Sequence, residues 1–270
     1  MRKLSLAHFT VIDADPIGLI DAAVAGGFDA VGLRIVAPMP TDTLAFPVIG
    51  NAPLVRRIKS HMAATGVRIL DVEAVWLMPH TDIAALVPAF DLAVELGAEY
   101  VLTVGHDPDA GRLAANFSKL CEACHERGLR VMLEFIPYSE VGTLAQAHHL
   151  LTQTAPANAG LLVDALHLSR SGGNPAELAA YKPALFSYMH LCDAPAQPPP
   201  RESFRAEARG GRLYPGEGEL WLSDFVAAFS VGTPVAIEAP AARHAGLSPL
   251  ERAKLAGAAC RRLLGEVGGA

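Results

Sequence analysis

The chain has 270 residues, 51% of them hydrophobic, and a formal net charge of −6. That length supports a well-buried core, in one large α/β domain or two small ones, and the acidic balance argues against broad electrostatic attraction to nucleic acid or an anionic membrane. No stretch is continuously apolar for about 18 residues, so no spanning helix is expected, and four cysteines in a chain this size do not make a disulfide framework.

The N-terminus, MRKLSLAHFTVIDAD, has a short basic start but neither a long apolar core nor a small-residue cleavage site. It reads as a first strand rather than a signal peptide, and the cytoplasm is the expected compartment. From there, strand-like and helix-like stretches alternate. KLSLAHFTV (3–11) is followed by the amphipathic PIGLIDAAVAGG, FDAVGLRIV (28–36) by PLVRRIKSHMAATG, and VRILDVEAVW (67–76) by IAALVPAFDLAVELG. EYVLTVG (99–105), LRVMLEF (129–135), AGLLVDA (159–165), LFSYMHL (185–191) and PVAIEAP (234–240) bring the strand-like runs to eight. Gly26-Gly27, Gly66, Gly97 and Gly128 close helical stretches just before the next strand, where a left-handed residue is needed to stop a helix. Parallel neighbours require crossover connections, so repeated strand–helix units predict a parallel sheet. Eight units in about 250 residues match a closed (β/α)8 barrel, a TIM barrel, in a single domain spanning 1–270. An open doubly wound sheet is the alternative, but no G-x-G-x-x-G follows the first strand.

Two stretches need separate weighing. Cys121-Glu-Ala-Cys-His125 matches the pattern for c-type haem attachment. It lies within RLAANFSKLCEACHERG, however, where Leu113, Phe117, Leu120 and Cys124 share one helical face, so structural thiols are the better reading. Residues 194–218, APAQPPPRESFRAEARGGRLYPGEG, form the one long irregular stretch. Following the seventh strand, this loop is expected to hang over the active-site mouth, carrying Arg201, Arg205, Arg209 and Arg212.

Glu134, Asp164, His190 and Glu238 each sit at or near the C-terminal end of one of the last four apolar runs. Charged residues are rarely buried unless paired or bound to a metal. Four in succession, at the strand ends where barrel active sites form, point to one divalent cation. Three carboxylates and a neutral imidazole suit a hard or borderline ion, Mn2+ or Mg2+ first, with Co2+ or Zn2+ as alternatives. Alternation puts each ligand on the same strand face as Met132, Leu162, Tyr188 and Ala236, but does not say which face points inward. His167, three residues after Asp164, is a candidate general acid/base or substrate contact.

The runs LEF at Glu134, VDALH at Asp164 and His167, HLCD at His190, RLYPGEG at 212–218 and IEAP at Glu238 resemble, in order and spacing, the xylose-isomerase-like sugar phosphate isomerase/epimerase superfamily. The resemblance implies a (β/α)8 barrel holding one divalent ion through Glu134, Asp164, His190 and Glu238. In its ketose 3-epimerase branch, the residues matching Glu134 and Glu238 also exchange the substrate proton. In its 3-dehydroshikimate and inosose dehydratase branch the same metal supports loss of a hydroxyl, with His167 as an acid/base residue. The family's epimerases commonly place an arginine a few residues after the strand-seven histidine; here Ala196 holds the sixth place and the arginines come later. Arg34 stands where many sugar isomerases carry an acid, and an inward Arg34 favours an anionic group on the substrate.

Arg34, Glu73 and Arg212 are therefore the candidate substrate contacts. His8 and His106 are secondary ones, whose structural or surface reading stands ahead of the functional one. The first functional reading is a metal-dependent isomerase or epimerase that abstracts a proton next to a carbonyl on a small polyhydroxylated molecule; the second is a dehydratase. An abasic-site endonuclease needs several zinc ions and a basic DNA-facing surface, which the acidic balance opposes. A binding protein that lost the chemistry is at odds with a complete ligand set. Neither nucleic acid nor membrane is an expected partner, and association of copies through the outer helices is a further expectation of such barrels.

Overall fold

The computed structural model describes residues 2–39 and 42–267. Eight strands are joined in parallel and in sequence order, with β8 returning to β1 to close the barrel. They are β1 (Leu4–Ala7), β2 (Ala30–Arg34), β3 (Arg68–Leu77), β4 (Tyr100–Gly105), β5 (Arg130–Glu134), β6 (Ala159–Asp164), β7 (Met189–Leu191) and β8 (Val235–Ile237). The outer layer is built by α1 (Pro16–Gly26), α2 (Ala52–Thr65), α3 (Ile83–Glu95), α4 (Ala110–His125), α5 (Leu144–Thr154), α6 (Ala165–Arg170), α8 (Leu222–Ala227) and α9 (Pro249–Val267). α7 (Phe204–Gly210) lies in the β7–β8 connection. The first apolar run is a strand only in its first half, because His8–Val11 turns into a 3-10 helix.

Local chemistry sets the helix ends. Asp15, Asn51, Asp82, Asp109 and Thr143 each accept a backbone N–H in the first turn of α1 to α5, satisfying a donor that the helix itself leaves open. Gly27 ends α1 in the left-handed region at φ 68°, where a side chain would be strained. In α4, Cys121 and Cys124 are buried against the sheet, and burial pushes both thiols up to about 12. Such thiols are poor nucleophiles and suit a packing role.

Two apolar clusters divide the core. The larger lies between strands and helices. The smaller fills the barrel axis with Ala30, Leu70, Ala74, Leu102, Met132, Leu162, Tyr188 and Ala236. Met132, Leu162, Tyr188 and Ala236 each stand two residues before one of the four candidate ligands, so that face of β5 to β8 is the inward one. The ligands form the next level above this plug, at the C-terminal mouth.

The 194–218 segment is more regular than its composition suggests. It contains α7, and three polar clamps fix it. Arg170 donates Nε and Nη2 to the two carboxylate oxygens of Glu207 at 2.9 and 2.7 Å. Asp193 accepts the N–H groups of Gly216, Gly218, Leu220 and Ala194 at 2.9–3.0 Å. A Cβ on Gly218 would stand 2.5 Å from Asp193 Oδ1, so the second glycine of the G-E-G run is needed for that cage. Arg212 forms the third clamp.

Candidate metal centre and active site

Glu134 ends β5, Asp164 ends β6, His190 is the middle residue of β7, and Glu238 follows β8 by one residue. One ligand atom from each lies within 4.8 Å of all the others, and all four side chains are buried. It is the one such group found among the described residues. His190 Nδ1 is 3.6 Å from both Glu134 Oε1 and Glu238 Oε2. Glu134 Oε1 and both ring nitrogens of His190 are buried without a hydrogen-bond partner. Buried polar atoms are ordinarily satisfied, and here Glu134 Oε1 and His190 Nδ1 stand unsatisfied 3.6 Å apart within a group that has the donor chemistry of a divalent-ion site. The residues fit such an ion.

Arg212 sits against this cluster. It is 2% exposed and is the largest of the fully buried side chains. Nη1 donates to Asp164 Oδ2 at 2.5 Å and to the Glu238 carbonyl at 2.9 Å, and Nη2 lies 3.0 Å from Glu238 Oε2. The other oxygen of Asp164 caps α6 by accepting the His167 N–H at 2.9 Å. Arg212 Nη2 is also 3.3 Å from His167 Nε2. A guanidinium can only donate, so Nε2 carries the lone pair and the proton sits on Nδ1. Burial lowers His167 to about 4, which keeps it neutral at physiological pH.

The two glutamates are pushed apart. Burial drives Glu134 up to about 7, against the pull of His190. Burial also acts on Glu238, but His190 and Arg212 overcome it and hold that carboxyl below its ordinary range. His190 resists the cost of burial because Glu238 and Glu134 flank it, and its pKa lies well above the ordinary value.

Glu73 and Arg34 meet on the other side of the mouth. Arg34 Nη2 donates to Glu73 Oε2 at 3.2 Å, and Glu73 Oε1 accepts the His8 N–H at 2.9 Å. His8 has both ring nitrogens engaged by the backbone, Nδ1 by the Arg34 N–H at 3.2 Å and Nε2 by the Ala14 carbonyl at 2.9 Å. Only its ring surface is left for a ligand. His106 stacks edge-on against Trp76 at 5.4 Å.

Sequence reasoning passed over two site features. Asp71 is fully buried inside the barrel two residues before Glu73, and accepts the Tyr188 hydroxyl at 3.3 Å. Burial, reinforced by Glu73, pushes it up to about 8. A Cβ on Gly32 would stand 2.6 Å from Glu73 Oε1 and 2.9 Å from Asp71 Oδ1, so the glycine in GLRIV leaves room for both acids. Tyr138, in the loop after β5, packs edge-on at 5.9 Å against the His167 ring. The signal for Asp71 was present, as a charged residue in an apolar strand on the same face as Glu73.

A family model describing xylose isomerase-like TIM barrels matches residues 20–263. The chain belongs to that family. Among solved structures, the IolI protein with a bound zinc atom superposes over 99% of this chain and 100% of its own, with a TM-score of 0.80 and 18% identity. D-allulose 3-epimerase from Methylomonas sp. covers 97% of each chain at a TM-score of 0.70 and 17% identity. AsbF of Bacillus anthracis, a probable 3-DHS dehydratase, covers 96% of this chain and 98% of its own at a TM-score of 0.74 and 14% identity. At such identities the likeness is one of fold. No curated protein matches the chain in sequence. No helix among the described residues is long and apolar enough to cross a membrane.

Proposed function

We propose that this xylose isomerase-like barrel is a divalent-metal-dependent isomerase or epimerase that moves a proton on a carbon next to a carbonyl, in a small polyhydroxylated substrate. The observation that carries the reading is the pair Glu134 and Glu238. Both are buried, both lie 3.6 Å from the same His190 nitrogen, and they come from β5 and the end of β8, with two strands between them. Two carboxyls approaching one reaction centre from different sides are what a two-base proton exchange needs.

Glu134, Asp164, His190 and Glu238 would hold the ion, Mn2+ or Mg2+ in preference to Co2+ or Zn2+. When bound, the ion polarises the substrate carbonyl and neutralises charge developing on its oxygen. Glu238, kept ionised by Arg212, would take the proton from one face of the carbon, forming an O–H bond as the C–H bond breaks and leaving the electron pair to the carbonyl group. Glu134 would deliver a proton to the carbon from the other side. Microscopic reversibility lets the pair run in either sense. Arg212 would orient Asp164 and Glu238, and its positive charge balances the three carboxylates together with a 2+ ion. His167, neutral with its proton on Nδ1, would donate a hydrogen bond to a substrate hydroxyl. Tight binding near the mouth falls to Arg34 and Glu73.

The acidic net charge and the one compact ligand group speak against an abasic-site endonuclease. The test is direct. Metal-loaded protein incubated in D2O with ketoses should incorporate deuterium next to the carbonyl and interconvert the epimers. Ultraviolet absorbance growing from 3-dehydroshikimate, with no exchange in any ketose, would give the dehydratase reading precedence instead.

A further inference from the structure

A second recess opens at the barrel mouth, with a volume of about 370 Å3, lined by His8, Phe9, Arg34, Asp42, Phe46 and Arg209 among others. Two guanidinium groups converge there on one aromatic ring. Arg34 Cζ lies 4.9 Å from the centre of the Phe9 ring and Arg209 Cζ lies 5.7 Å from it. Cations over a ring face at these distances are attracted by its quadrupole, which fixes two otherwise flexible side chains in place. Arg34 spends one Nη on Glu73, while its Nε is buried without a partner. Arg209 has no hydrogen-bond or ion-pair partner among the described residues. Both guanidinium groups line the same space, and the exposed Arg209 has its donors open to it.

The recess and the metal centre are joined by one short piece of chain. Arg209 and Arg212 are three residues apart, so their Cα atoms are at most about 11 Å from each other. Arg212 points to Asp164 and Glu238, whereas Arg209 points to the recess. The clamp between Arg170 and Glu207 holds α7 in this position. A small molecule spanning the two sites would therefore have a reacting end at the four ligands and a distal end between Arg34 and Arg209.

We infer that the recess is a distal-group subsite for a carboxylate, and that the substrate is a small polyhydroxylated acid. This rests on the reading that the four-residue cluster is the reaction centre. Planar guanidinium forks match a planar carboxylate. A phosphate is disfavoured, because the helix start lining the recess is a single 3-10 turn whose first N–H, that of His8, is already given to Glu73, and the N–H groups of Gly216 and Gly218 are taken by Asp193. Asp42, on the recess wall, opposes any anion and would accept a substrate hydroxyl instead.

Calorimetric titration of the Mn2+-loaded protein with D-gluconate, D-glucitol and D-glucitol 6-phosphate tests the inference. Gluconate should bind at least tenfold tighter than glucitol and tighter than the phosphate ester. Arg209 is exposed, so Arg209→Ala should leave the fold intact by circular dichroism and cut the gluconate preference about fivefold or more. Arg34→Lys, which keeps a charge beside Glu73, should cut it as well, and Asp42→Asn should tighten gluconate but not glucitol. Equal affinity for gluconate and glucitol overturns the inference. So does a preference unchanged by Arg209→Ala, which is what carboxylate binding at the metal alone would give, and so does tighter binding of the phosphate ester. Deuterium exchange at the reacting carbon is measured separately. An Arg209-dependent preference without exchange would retain the subsite and remove the epimerase reading, and exchange without the preference would do the reverse.

Discussion

Arg212→Met is the sharpest test of how the metal centre is built. The guanidinium is held by Asp164 Oδ2 at 2.5 Å and Glu238 Oε2 at 3.0 Å, and its side chain is 1% exposed. Methionine has similar length and no charge, so the change removes compensation while leaving little void. Removing one partner of a buried ion pair costs about 3–5 kcal/mol, because the other charge stays buried and unpaired. Unfolding entropy of about 2.1 cal/mol/K per residue, over 270 residues, turns that into a melting temperature about 5–9 °C lower. A 2+ ion supplies part of the missing charge and should rescue the variant more than the parent protein. An ion in excess stabilises both proteins, so closing half of the gap requires the variant to bind Mn2+ more tightly than the parent by about 1.5–2.5 kcal/mol, roughly 10–70-fold. The assay is thermal unfolding by circular dichroism in EDTA and in Mn2+. A metal-free variant melting within 2 °C of the parent, or a gap that Mn2+ leaves untouched, would refute the argument that Arg212 and the ion share the charge of three carboxylates.

Four other substitutions probe separate links. Glu134→Gln and Glu238→Gln should each lower C–H exchange in D2O by about 10²–10⁴-fold, the usual worth of a general acid or base, with the circular dichroism spectrum preserved; undiminished exchange in either variant would remove that residue from proton transfer. Asp71, raised from the usual 3.8 to about 8, holds in the folded state a proton that the unfolded chain releases. Stability should therefore fall as pH rises from about 4 to 8, and Asp71→Asn, which cannot ionise, should melt several degrees above the parent at pH 8 but not at pH 4. A difference independent of pH would show that Asp71 titrates normally. Gly32→Ala drives a Cβ to 2.6 Å from Glu73 and 2.9 Å from Asp71; overpacking of this kind costs about 1–3 kcal/mol, and a variant as stable as the parent in urea unfolding would show that both acids can move aside.

The alternation of apolar runs with capped helices made the barrel legible, because strand and helix periods and the glycine stops are local properties of the chain. The four ligands were legible for a related reason. A charged residue closing an apolar strand is costly anywhere except a site, and it can be recognised without knowing its neighbours. Which strand face points inward was not legible, since strands of a parallel barrel are apolar on both faces; closure decided it by stacking Met132, Leu162, Tyr188 and Ala236 along the axis. The arginines show the same limit. Along 194–218 they look alike, yet Arg212 is buried between Asp164 and Glu238 while Arg209 remains exposed beside Phe9. Phe9 and Arg209 are two hundred residues apart in sequence and meet only because β1 and the β7–β8 connection share one rim of the barrel. Local pattern determined the elements and the kind of chemistry. Long-range packing decided which charges face one another, and that depends on distances in space that no sequence window contains.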